Sequence, residues 1–136
     1  MSSGVILDTG PLVAFLDRAE SHHAWACERF REFSLPLLTC EPVLTEALFL
    51  LRRTPLAQEK ILDLVSRRQL VADFHLQKEI VAVRAQWDKY RDLPMSLADA
   101  CLVRMAELTG LSVCTLDSHF AIYRLRGRDP VPLVRP

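Results

Sequence analysis

Four carboxylates occupy positions that chemistry can use. Asp8 directly follows the apolar run Val5-Ile6-Leu7, and Asp117 directly follows Ser112-Val113-Cys114-Thr115-Leu116. Both runs read as short buried strands, so both acids are expected at carboxyl strand ends, the edge where open parallel sheets bind ligands. Glu46 and Asp99 fall in the first one or two turns of expected helices, whose N-termini belong at that same edge. Carboxylates gathered within a few ångström repel one another and raise each other's pKa, so such a group is costly unless a cation sits in it. Mg²⁺ or Mn²⁺ suits an all-oxygen donor set that keeps waters and needs neither His nor Cys. An open site of that kind activates water and stabilises charge developing on a phosphodiester, so hydrolysis of nucleic acid is the fitting chemistry.

Each acid also has a structural role open to it. Asp8 fits an Asx turn into Gly10-Pro11, Asp117 a cap for a helix at Ser118, Asp99 the acid of a capping box begun by Ser96, and Glu46 a solvated helix residue. Other chemistries are excluded more firmly. The four glycines, Gly4, Gly10, Gly110 and Gly127, form neither G-x-G-x-x-G nor a Walker A loop. Cys27, Cys40, Cys101 and Cys114 are far apart, with no C-x-x-C pair and no histidine in zinc spacing, so they read as buried free thiols. A phosphatase of the haloacid-dehalogenase type would carry a second acid two residues after Asp8, where this chain has Gly10. His22 and His23 are adjacent, and neighbouring helical residues point about 100° apart, so a helix-entry role fits better than a shared ion.

The elements that must position the acids are legible as an alternation. Strands are expected at Val5–Leu7, Leu35–Cys40, Gln69–Phe74, Leu111–Leu116 and Val131–Val134. Helices are expected from Pro11 to Leu16, Ser21 to Phe33, Glu41 to Leu51, Pro55 onward behind an N-cap at Thr54, Leu76 to Tyr90, Leu97 to a cap at Gly110, and Ser118 to Leu125. Short apolar strands alternating with amphipathic helices predict an α/β three-layer sandwich, a mostly parallel sheet flanked by helices. The helix-rich stretch 41–68 is expected to protrude as a pair. The 136 residues, half of them hydrophobic, suit one domain over 1–136. Trp25, Phe30, Phe33, Phe49 and Trp87 fall on helical stripes and read as core or dimer surface.

Charge excludes a polybasic coat, since 17 Lys and Arg balance 17 Asp and Glu. Neutrality conceals sorting: residues 1–50 carry 3 basic and 7 acidic side chains, residues 51–91 carry 9 and 5, and residues 92–136 carry 5 of each. The residues from Met1 to Asp8 lack the basic start of a secretory signal, and no apolar run approaches the roughly 20 residues of a membrane span. A cytoplasmic protein with reduced thiols and no membrane contact is expected. Arg124, Arg126 and Arg128 follow the Asp117 strand closely enough to be candidate contacts for an RNA backbone.

Four motifs carry a family resemblance. Ile6-Leu7-Asp8-Thr9-Gly10-Pro11-Leu12-Val13, Leu44-Thr45-Glu46-Ala47, Met95-Ser96-Leu97-Ala98-Asp99-Ala100 and Cys114-Thr115-Leu116-Asp117-Ser118-His119-Phe120 resemble, in order and spacing, the successive motifs of the PIN domain family, especially its VapC-type toxin ribonucleases. The resemblance implies a Mg²⁺- or Mn²⁺-dependent endoribonuclease with Asp8, Glu46, Asp99 and Asp117 as catalytic acids. Asp8, Asp99 and Asp117 would hold the metal, and Glu46 would ligate it or orient the attacking water. It further implies an RNA substrate, a cognate antitoxin and a homodimer. Thr9 and Thr115 fall where relatives carry hydroxyls, and Asp92 resembles an acid found just before the third motif, so all three are candidate supporting residues. Ser96 stands where relatives often have an acid. The rival reading is a non-catalytic module of the same fold that binds RNA or serves assembly; it would be marked by loss of site acids, and all four are present.

Overall fold

The computed structural model describes residues 4–136. Residues 1–3, the first three of the expected domain 1–136, lie outside the described residues. The chain runs β1 (Val5–Leu7), α1 (Thr9–Leu16), α2 (His23–Glu32), β2 (Leu37–Leu38), α3 (Glu41–Leu50), α4 (Pro55–Ser66), β3 (Leu70–Val71), α5 (Leu76–Lys89) and α6 (Leu97–Thr109). It then forms β4 (Ser112–Cys114), a 3-10 turn (Ser118–Ala121), β5 (Arg124–Leu125), β6 (Asp129–Pro130) and β7 (Leu133–Val134).

All three residues of β1 are buried because the strand lies at the centre of a sheet of order β3-β2-β1-β4-β7, every pair parallel. Successive side chains point to opposite faces, and both faces are covered. Ile6 and Val113 enter a core with Val83 of α5 and Cys101, Leu102 and Val103 of α6. Val5, Leu7 and Cys114 enter a second core with Leu12 and Val13 of α1, Ala47 of α3 and Ala57 and Ile61 of α4. This is the predicted three-layer α/β sandwich with a parallel central sheet. Register places Leu7 beside Cys114, so the acids that follow β1 and β4 emerge at the same edge.

Local chemistry explains the boundaries. Helix α1 starts at Thr9, two residues before the expected Pro11, because the Asp8 carboxylate caps it, accepting from the Thr9 N–H at 2.8 Å. Pro11 then lies in the first turn, where a missing N–H leaves no bond unmade. Helix α6 opens with the predicted capping box, Ser96 and Asp99 each bonding the other's backbone N–H, and closes at Gly110 with φ +72°. Thr54 sits at the N-cap position of α4, but its side chain makes no capping bond.

Three expectations are corrected. The strands expected over 35–40, 69–74, 111–116 and 131–134 are shorter, Leu37–Leu38, Leu70–Val71, Ser112–Cys114 and Leu133–Val134. The helix expected from Ser118 to Leu125 stops at Ala121, and a β5–β6 hairpin follows. Its turn places Arg126 and Gly127 at φ +50° and +75°, left-handed values that no right-handed helix accommodates, and closes with Arg128 N–H donating to the Leu125 carbonyl at 2.9 Å. The α3–α4 pair does not stand free: Ala47, Leu51, Ala57 and Ile61 are buried against the sheet, while Phe49 and Leu56 at its outer side remain exposed. All four cysteines are free, three of them buried. Among the described residues no helix is long and apolar enough to cross a membrane.

A Cβ placed on Gly110 would meet nothing within 4 Å, so its left-handed backbone alone sets the cost of substitution. Gly110→Ala is expected to destabilise the fold by about 1 kcal/mol, read from urea unfolding. A neutral substitution would show that α6 ends without the left-handed cap.

Candidate acidic site

The chain leaves β1 toward β2 on one side while β4 pairs on the other, so the carboxyl ends of β1 and β4 form the crevice typical of a topological switch point. A cavity of about 550 Å³ opens there, and Asp8, Glu46, Asp99 and Asp117 all line it, together with Glu20, Ser96 and His119. Among the described residues no Lys or Arg lines it. Four segments of the chain therefore deliver their acids to one cleft.

Each carboxylate is held by named donors. Asp8, 8% exposed, accepts from Thr9 N–H at Oδ1 and from the Thr115 hydroxyl at Oδ2, 2.7 Å away. The same Thr115 oxygen accepts the Asp117 N–H at 2.9 Å, so one buried hydroxyl ties the first acid to the last. Glu46 is exposed on α3, and its Oε2 accepts from the Thr9 hydroxyl at 2.9 Å. Asp99 is buried; its Oδ2 accepts from the Tyr123 hydroxyl at 3.0 Å and from Ser96 N–H at 3.4 Å. Asp117 caps the 3-10 turn through His119 N–H at 2.9 Å, with His119 Nδ1 3.2 Å from the same oxygen.

Burial dominates the electrostatics. It pushes the Asp8 carboxyl up to about 6; the bonds from Thr115 and Thr9 oppose that rise, and the charges of Asp99 and Asp117 add to it. Asp99 is also raised by burial, against the bonds from Tyr123 and Ser96, and the charge of Asp117 adds to the rise. Such a group favours a cation, and the donor set is all hard oxygen, as Mg²⁺ or Mn²⁺ requires. Among the described residues no three His, Cys, Asp or Glu side chains are grouped tightly enough to hold an ion as they stand. Each carboxylate leans instead on its own hydroxyl or amide donors.

The remaining sequence candidates divide. Thr9 and Thr115 bond site carboxylates. Asp92 is exposed in the turn after α5 and does not line the cleft. Neither do the three arginines. Arg124 turns its guanidinium onto the carbonyls of Ala121, Ile122 and Tyr123. Arg126 is tied through its backbone N–H and its guanidinium to Glu107, eight residues beyond Asp99 and so about 12 Å further along α6. Arg128 is exposed on the hairpin. Their sequence proximity to Asp117 is lost because the hairpin folds back along α6. Two residues escaped sequence reasoning. Glu20 lies in the α1–α2 connection, where no periodicity marks it, and Tyr123 lies in an irregular segment where an aromatic side chain reads as core.

The raised Asp8 pKa fixes the sign of a stability effect. Its folded value, about 6, exceeds the ordinary 3.8, so the folded state holds the proton more tightly and stability falls as pH rises from about 4 to 6. In EDTA, Asp8→Asn is expected to be more stable than the wild type at pH 7.5, by up to about 3 kcal/mol, with the gap closing below pH 4. Urea unfolding at both pH values checks this, and a variant less stable at pH 7.5 would remove burial as the controlling cause.

Comparison with known proteins places this geometry. No curated protein matches the sequence. The structure resembles that of VapC20 from Mycobacterium tuberculosis, described as a sarcin-ricin loop cleaving toxin, with a TM-score of 0.73 over 93% of this chain and 98% of that one, at 18% identity. The likeness extends over nearly the whole length of both chains and establishes the fold. The family model of the PIN domain matches residues 5–125, a span that holds β1, α3, α6, β4 and all five cleft acids. By that match, the chain belongs to the PIN domain family.

Proposed function

We propose that this protein is a divalent-metal-dependent endoribonuclease of the VapC toxin type. The observation that carries the reading is the delivery of Asp8, Glu46, Asp99 and Asp117, from four separate segments, to one cleft lined by no Lys or Arg. The likeness to a toxin that cleaves the sarcin-ricin loop supports RNA as the substrate class. Asp8, Asp99 and Asp117 would hold Mg²⁺ or Mn²⁺. When bound, the ion supplies Lewis-acid polarisation of a phosphoryl oxygen and lowers the pKa of its water.

The chain's own groups do the rest. Thr115 orients Asp8 and secures the backbone at Asp117. The Thr9 hydroxyl occupies Glu46 Oε2, which leaves Oε1 to accept a hydrogen bond from the attacking water. Leu50, Val13 and Leu116 supply apolar wall to the cleft. The same reading includes a cognate antitoxin, a homodimer and a cytoplasmic location.

RNA cleavage is expected with Mg²⁺ or Mn²⁺ and is expected to vanish with EDTA. Asp8→Asn and Asp99→Asn should each lower the rate by roughly 100-fold or more, the scale of losing a preorganised electrostatic group. Full activity in both variants would sink the proposal. Thr115→Val removes the hydroxyl while keeping the branched side chain, and should lower activity by about 10- to 100-fold.

A further inference from the structure

We propose that Tyr123 is a positioning residue for the divalent ion, its hydroxyl holding Asp99 Oδ2 so that Asp99 presents Oδ1 to the cleft. The inference rests on reading the acidic cleft as a metal site. Tyr123 is fully buried, and the hydrogen bond it makes through its hydroxyl, 3.0 Å to Asp99 Oδ2, spans 24 positions of sequence. Its ring is fixed from two sides, edge-on to Phe120 and tilted against Tyr90, both at 5.1 Å between centroids. A rigid aromatic therefore aims one donor at one carboxylate oxygen. Ser96 N–H reaches that same oxygen. Asp99 lines the cleft, and its Oδ1 has no hydrogen-bond partner among the described residues, so it is the oxygen left for a cation.

The phenol hydroxyl has one proton to donate, and Asp99 Oδ2 is the acceptor it meets. A ligand oxygen oriented by an outer donor binds its ion more tightly, because the carboxylate need not be turned and desolvated on binding; loss of such a donor typically costs 10- to 100-fold in metal affinity. Tyr123→Phe removes one oxygen atom and keeps both ring contacts.

The test is calorimetric titration of metal-free protein with Mn²⁺ alone, on wild type, Tyr123→Phe, Tyr90→Phe and Asp99→Asn. Tyr123→Phe is expected to weaken the Kd at least about 10-fold. Tyr90→Phe, altered in the same aromatic cluster but without a bond to Asp99, is expected to match the wild type. The Mn²⁺-induced rise in Tm should shrink in Tyr123→Phe alone of the two tyrosine variants. A Tyr123→Phe affinity within twofold of wild type, with Asp99→Asn weakened, overturns the positioning role and leaves the acidic site standing. An Asp99→Asn affinity equal to the wild type overturns both.

Discussion

Asp8 must hold a carboxylate at the end of a strand that has protein on both faces. A buried, unpaired carboxylate is among the costlier groups a fold can keep, and near neutral pH this one is only partly relieved by its two hydrogen bonds. Its surroundings follow from that constraint. The donor that matters most, Thr115, reaches Asp8 because β1 and β4 pair in parallel with Leu7 beside Cys114. A shift of that register by one residue would send Thr115 to the opposite face and leave Asp8 without it. Sheet pairing and site geometry are therefore one requirement. Gly10 bears on the same requirement: a Cβ there would stand 3.2 Å from the Leu116 side chain, which would have to give by a few tenths of an ångström at the end of β4.

The structural and chemical roles of the acids are not alternatives. Asp8 caps α1, Asp99 completes the capping box of α6, and Asp117 caps the 3-10 turn, yet all three line the cleft. A carboxylate has two oxygens and about four acceptor sites, so accepting one or two backbone N–H bonds leaves acceptor capacity for a cation or water. Capping also fixes the side chain, and a fixed side chain loses little freedom when it binds. Helix starts at the carboxyl edge of a parallel sheet thus provide, in one step, the cap the helix needs and the oriented acid the cleft uses.

This explains which features were legible in the sequence. Strand β1, its acid, the capping box of α6 and Gly110 rest on contacts within a few residues, and each appeared where local pattern put it. The sandwich followed because apolar runs without alternation require cover on both faces. Long-range pairing was not legible. Thr9 with Glu46 spans 37 positions, Thr115 with Asp8 spans 107, and Tyr123 with Asp99 spans 24. The arginines after Asp117 failed for a related reason: nearness along the chain implied nearness to the cleft, but two left-handed residues, Arg126 and Gly127, reverse the backbone. Glu107 then draws the hairpin onto α6.

The placement of charge bears on the order of events in the proposed reaction. Among the described residues five carboxylates and no Lys or Arg line the cleft, so before any cation is bound it repels a phosphodiester backbone. Basic residues are concentrated elsewhere, nine of them in residues 51–91 against five acids. In the proposed reaction the cleft would resist RNA less once a divalent ion offset part of its negative charge. A metal-loaded cleft would then admit the RNA backbone more readily than an empty one. It also gives the zero net charge a physical meaning: five of the acids that cancel the basic side chains line the cleft, where a bound cation would offset part of their charge.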